Sequence, residues 1–130
     1  MALMTPADWT RIRFFASYEF DSPDSPGSGA THMREEFVTA LDDLRLKTGF
    51  PFTITSGFRS EAHNEEVGGV DGSAHTRGYA ADIAVRTSTQ RFLLVSTAIS
   101  QGWHRIGIGS TFVHLDMDPL LPHQVIWTYK

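Results

Sequence analysis

Three side chains in this 130-residue sequence have the types and spacing needed to share one metal ion. His75 lies in Ser73-Ala-His75-Thr-Arg-Gly78-Tyr-Ala-Ala-Asp82, seven residues before Asp82, with Gly78 between them; His114 lies in Phe112-Val-His114-Leu-Asp116. A ligand on a loop and a ligand on the following strand can converge across a glycine turn, and a neighbouring strand can bring His114 to both. Two imidazoles and one carboxylate suit zinc and leave a fourth position for water, the arrangement of catalytic rather than structural zinc sites. Water beside such an ion has its pKa lowered to about 7, so hydrolysis at a carbonyl is the natural chemistry. Each residue also has an ordinary structural reading. His75 can cap a turn, Asp82 can accept from backbone N–H groups, and His114 can be a partly buried strand residue with a satisfied ring. No short local motif fixes both histidines, so spacing alone leaves the two readings open.

Composition narrows the choice of partner and of ligand chemistry. With 11 Lys and Arg against 15 Asp and Glu the net charge is −4, and no basic block interrupts it, which argues against a protein that tracks phosphates. Cysteine is absent, which excludes a thiolate nucleophile, a disulfide framework and a Cys-rich zinc site. Any metal must therefore be held by histidine and carboxylate. Apolar residues make up 41% of the chain and no apolar run approaches the thickness of a bilayer, so a soluble globular protein is expected. No signal peptide is readable at the N-terminus, which makes the cytoplasm the expected place of synthesis. The length fits one domain over residues 1–130. Within it, residues 1–30 read as an N-terminal extension with a Pro/Gly/Ser surface loop at Asp21–Gly29, and residues 31–130 as the core.

The elements that must position the three ligands follow from periodicity. From Thr31, read as the N-cap, Met33, Phe37, Leu41 and Leu44 recur at helical spacing, and Gly49 and Pro51 supply the stop. Phe52–Thr55 reads as a strand running into Ser56-Gly57, and a short helix is expected from Ser60. Ala80–Val85 is a second strand. Thr87-Ser-Thr-Gln90 resembles a capping box and opens a helix whose Phe92, Val95 and Ile99 share a face, with Gly102 ending it. Arg105–Ile108, Phe112–Asp116 and Val125–Tyr129 complete the strands. Helices early and strands late predict an α+β fold with a small, largely antiparallel sheet flanked by helices. Trp127 is expected in the core and Tyr79 as a wall of any groove beside the ligands.

Several ordered motifs together carry a resemblance. Ser56-Gly-Phe-Arg-Ser60, His63-Asn64, Val67-Gly-Gly69, Ser73-Ala-His75, Gly78-Tyr-Ala-Ala-Asp82-Ile83 and Phe112-Val-His114-Leu-Asp116 resemble the zinc D-Ala-D-Ala carboxypeptidase family of metallopeptidases from about Thr31 onward. The similarity is to its compact phage and prophage members. The resemblance implies the small α+β fold shared with the Hedgehog signalling domain, Zn²⁺ as cofactor, and His75, Asp82 and His114 as its ligands. It also implies hydrolysis of a bond involving a D-amino acid in bacterial peptidoglycan peptides, as in a phage lysin or a wall-remodelling enzyme acting at the cell wall. A monomer without nucleic-acid or membrane partners is expected.

Arg59 matches the family arginine and is the expected anchor for a substrate carboxylate or developing oxyanion. Ser73 matches a position that helps hold the substrate terminus. One position departs from the family: the acidic residue three before the last histidine is here Thr111. Asp116 is the expected replacement as general base, because two residues along a strand from His114 it shares that face; orienting His114, or merely satisfying nearby backbone donors, are its other readings. His32, His63, His104 and His123 are read as bystanders. The departure at Thr111 also leaves an alternative function, a non-catalytic zinc-stabilised binding or virion-structural module of the same fold.

Overall fold

A computed structural model describes residues 2–129. Its five strands, β1 (Ile54–Ser56), β2 (Ala80–Ala84), β3 (Arg105–Ile108), β4 (Phe112–Asp116) and β5 (Val125–Thr128), form one sheet in the order β1-β2-β4-β3-β5. All neighbours are antiparallel except β3 and β5, which run parallel. Helices α1 (Pro6–Trp9), α2 (Ser28–His32), α3 (Glu35–Thr48), α4 (Glu61–Glu66) and α5 (Ser88–Ser100) complete the α+β fold that the sequence predicts. Among the described residues no helix is long and apolar enough to cross a membrane.

The register of β2 on β4 is what matters for the site. Ile83 pairs with Val113 and Ala81 with Leu115, and these residues are almost fully buried against the helices. Alternation along a strand then sends their neighbours Asp82 and His114 to the opposite face, directly paired with each other. A one-residue slip would place apolar side chains in the site and the ligands in the core, so burial of the first face fixes the second.

α3 carries most of the apolar stripe expected of it, with Phe37, Leu41 and Leu44 wholly buried, as is Met33 just before it, and ends at Gly49 in the left-handed region (φ 87°). Its start differs from the Thr31 expectation. Thr31 belongs to the separate helix α2, Met33 is extended, and Arg34 caps α3. The break arises because this stretch is claimed by other strands of chain: Met4 N–H donates to the Met33 carbonyl and Arg34 N–H to the Gly78 carbonyl. α5 begins as expected, Thr87 accepting from Gln90 N–H, but its buried face is Leu94 and Ala98. Phe92 and Ile99 are exposed, because the helix lies on α3 through a narrower stripe than its apolar content allows.

Residues 2–30 are built into the same core rather than attached to it. Met4, Phe15 and Phe20 are buried, and Ser22, Ser28 and Gly29 in the expected surface loop are buried as well. Asp42 of α3 ties this segment down. Its carboxylate accepts from the backbone N–H groups of Arg13 (3.1 Å) and Phe14 (2.9 Å) and from Arg13 Nε (3.0 Å). Asp42→Ala leaves those backbone donors without a partner and is expected to cost about 1–3 kcal/mol. Urea unfolding measures this; a midpoint equal to the parent's would show that Asp42 does not hold the N-terminal segment.

Candidate metal centre

Ala74–Arg77 forms a single 3-10 turn capped by Ser73, whose Oγ accepts from His75 N–H at 3.3 Å. The chain then reverses at Gly78 (φ 78°) and enters β2, which brings Asp82 back past His75. Only glycine serves at this position. A Cβ there would lie 1.9 Å from the His32 carbonyl oxygen, and the left-handed backbone is itself costly for other residues. The turn and the β2–β4 register together place His75 Nε2, His114 Nδ1 and Asp82 Oδ1 at the corners of a triangle. Its edges are 3.2 Å between the two nitrogens, 2.9 Å from His114 to Asp82 and 3.3 Å from His75 to Asp82. Among the described residues this is the one cluster of three or more His, Cys, Asp or Glu side chains with converging ligand atoms.

The outer nitrogens decide what the triangle can hold. His75 Nδ1 is 2.7 Å from the Gly57 carbonyl, an acceptor only, so Nδ1 carries the proton and Nε2 presents a lone pair. His114 Nε2 is 2.6 Å from Asp116 Oδ2, which leaves the lone pair on Nδ1 when the ring is neutral. Two imine nitrogens and a carboxylate oxygen thus converge with no donor among them, an arrangement that asks for a cation. The size fits zinc: bonds of about 2.0–2.1 Å in tetrahedral geometry separate two ligands by about 3.3 Å.

Local electrostatics agree. Burial opposes the charge on Asp82, yet the adjacent His114 and His75 rings outweigh it and hold the carboxyl well below its usual range. Burial lowers the His75 pKa, favouring the neutral form that ligates a metal. Burial also opposes charge on His114, but Asp116 and Asp82 on either side raise its pKa, a pair of carboxylates that attracts a proton or, in its place, a metal cation.

Asp116 lies across the His114 ring from the triangle. Oδ2 is taken by His114 Nε2, while Oδ1 accepts from Arg105 Nε (2.6 Å) and Asp118 N–H (3.2 Å). Burial raises its pKa, and His114 and Arg105 more than offset that, keeping it ionised. Of its three sequence readings, this geometry favours orienting His114, since one oxygen meets the ring and the other is engaged by Arg105 and Asp118 N–H. Thr111 sits in the turn before β4 and its carbonyl accepts from Val85 N–H.

The triangle lies in a groove of about 530 Å³. Arg59, Arg105 and the loop 68–73 with Ser73 line it, together with Phe112, Leu121, Trp127 and Tyr129. Arg59 is held by Ser56 Oγ (3.0 Å), Asn64 Oδ1 (3.2 Å) and Asp82 Oδ2 (3.5 Å), which uses three of its five N–H groups. Asn64 also fastens the loop, donating to the Val70 carbonyl and accepting from Gly69 N–H at its own backbone. Apart from Asp82 and Asp116, the one acidic side chain lining the groove is Asp71.

Two aromatic expectations are exchanged. Tyr79 is buried, with Arg34 over its ring at 5.1 Å, whereas Trp127 is half-buried in the groove wall, 5.4 Å from the His114 ring. For Trp127 the reason is Gly107 of β3, which pairs with His114: a Cβ there would lie 2.8 Å from both Trp127 and Tyr129, so its absence lets the two rings lie across the strand. His32, His63, His104 and His123 are outside the triangle. His32 stacks on Phe58, and His104 stacks on His123. Sequence reasoning passed over the Gly57 carbonyl and Arg105; the pairing of β3 with β4 is the signal that would have found the arginine.

Gly78→Ala is expected to destabilise the protein by about 1–3 kcal/mol through backbone strain alone, and by more where the His32 carbonyl must move. Thermal unfolding of the metal-free protein measures it, and an unchanged Tm would remove the turn from its positioning role.

Comparison with known proteins adds a family assignment. No curated protein matches the chain. Residues 19–116, which include all three triangle residues, Arg59 and Ser73, match the family model described as Peptidase M15. With three-quarters of its length matched and a His-Asp-His cluster in place, the chain belongs to the Peptidase M15 family of zinc D-Ala-D-Ala carboxypeptidase-type metallopeptidases.

Proposed function

We propose that the protein is a zinc-dependent peptidase that hydrolyses a peptidoglycan stem-peptide or cross-link bond involving a D-amino acid. The observation that carries this reading is the set of three converging acceptors on the floor of an open groove, in a chain of the Peptidase M15 family. His75, Asp82 and His114 would hold the ion. Bound zinc supplies Lewis acidity there, polarising a scissile carbonyl and making water acidic enough to attack it near neutral pH.

The chain's own residues supply the rest. Arg59, with two N–H groups uncommitted, is positioned to pair with a substrate carboxylate or with the oxygen that gains charge during attack. Ser73, whose Oγ accepts from His75 N–H, has its hydroxyl proton available to the substrate terminus. Asp116 holds the His114 ring from behind. The resemblance to compact phage and prophage enzymes supports a role in lysis, wall penetration or wall remodelling, with the protein acting as a monomer at the cell wall and needing neither nucleic acid nor membrane. One observation favours a second reading, a zinc-stabilised binding or virion-structural module: Thr111 is not acidic, and Asp116 is committed to His114 and Arg105.

Purified sacculi digested with the protein, with products resolved by mass spectrometry, separate the two. A single class of cleaved peptide, lost on chelation and in His75→Ala, is the expected result. Stoichiometric zinc with no product establishes the second reading, and absence of bound zinc overturns both. Arg59→Lys keeps the charge but not the fork, and is expected to lower kcat/KM at least tenfold at unchanged zinc content. Activity equal to the parent's would take Arg59 out of the substrate site.

A further inference from the structure

Arg105 has no part in the function proposed above, yet it lines the groove next to Asp116 with its guanidinium tied down on two sides. It opens β3 one step beyond the Ile106–Leu115 pair, which sets it opposite Asp116 on β4. Its Nε donates to Asp116 Oδ1 at 2.6 Å, its Nη1 donates to the Pro122 carbonyl at 2.6 Å, and its guanidinium lies 5.0 Å from the centre of the Trp127 ring. Arg105 and Asp116 are both buried, at 9% and 1% exposure.

A carboxylate alone does not hold an imidazole in one orientation, because its terminal torsion is soft. With Oδ1 fixed by Arg105 and by Asp118 N–H, Oδ2 has a single direction left, and His114 Nε2 follows it at 2.6 Å. Turning the ring over would put carbon where Nδ1 now meets Asp82 and His75. The orientation of the ring is therefore a property of the whole chain of contacts.

We propose that Arg105 is a positioning residue for the metal centre, locking Asp116 and through it the His114 ring so that Nδ1 faces His75 and Asp82. The inference rests on reading the triangle as a zinc site. It requires arginine, since two donors must meet two acceptors in different directions and a lysine ammonium on a flexible stem does not. The bond to Pro122 gives the same side chain a second duty: it holds the segment between β4 and β5, which brings Leu121 to the groove wall.

Zinc affinity, measured by competition with a chromophoric chelator, and the absorption spectrum of the Co²⁺-loaded protein test this without reference to activity. Arg105→Gln is expected to weaken zinc binding about 10–100-fold and to change the cobalt spectrum. Asp116→Asn should do the same, and the double variant should lose no more than the weaker single variant, because both substitutions cut one chain of contacts. Arg105→Lys should fall between parent and Arg105→Gln, and it decides the question if Arg105→Gln does not fold. Arg13→Gln, which breaks the remote pair with Asp42, should lower stability and leave zinc affinity unchanged. Affinity within twofold of the parent with an unaltered spectrum, or strictly additive losses, would overturn the role of Arg105. Failure of the parent protein to bind one zinc would instead overturn the reading of the triangle.

Discussion

Three hydrogen-bond acceptors that face one another are held apart from any donor, and the rest of the structure is arranged around that constraint. The inward lone pairs of His75 and His114 exist because their outward nitrogens are committed, one to the Gly57 carbonyl and one to Asp116. Each of those partners is itself fixed. Gly57 packs so closely on Phe20 that a Cβ there would lie 2.6 Å from the Phe20 Cα, and Asp116 is gripped by Arg105. Converging acceptors are unfavourable on their own, so the fold must supply the energy that keeps them together until a cation joins them. The buried sheet face and the helices packed on it are the source.

The two sides of the sheet divide this labour. On one, Ile83, Val113 and Leu115 are sealed under α3 and α5 by apolar contacts that fix strand register. On the other, the same register pairs Asp82 with His114 and opens a groove walled by Phe112, Trp127 and Tyr129. Residues 2–30 contribute through packing, since Phe20 supports Gly57 and its carbonyl accepts from Phe58 N–H, leading directly into Arg59. A segment that reads as a peripheral extension thus braces the loop that presents the arginine.

Family membership and geometry bear on different parts of the function. Peptidase M15 membership makes the chain a metallopeptidase and gives the triangle its chemical meaning. The geometry adds what membership does not supply: three ligand-type side chains converge, Asp116 and Arg105 hold the outer side of the His114 ring, and Arg59 is already tied to Asp82.

The sequence by itself determined the local elements and the residue types of the candidate ligands. Periodicity gave α3 its buried stripe, cap residues gave α4 and α5 their starts, and Ser73-Ala-His75, Asp82 and His114 stood out as a metal set because few residue types can do that chemistry. Tertiary structure decided what depended on contacts distant in sequence. It broke the helix at Met33, where backbone groups bond to Met4 and Gly78, and it turned α5 so that Leu94 rather than Phe92 is buried. It laid Trp127 across the missing side chain of Gly107 into the groove wall and buried Tyr79. The role of Asp116 was of the same kind: alternation places it on the His114 face, but which oxygen meets which donor depends on Arg105, eleven residues earlier and on another strand. Local pattern encodes residue type and face, whereas the direction of a side chain is set by neighbours that only the folded chain assembles.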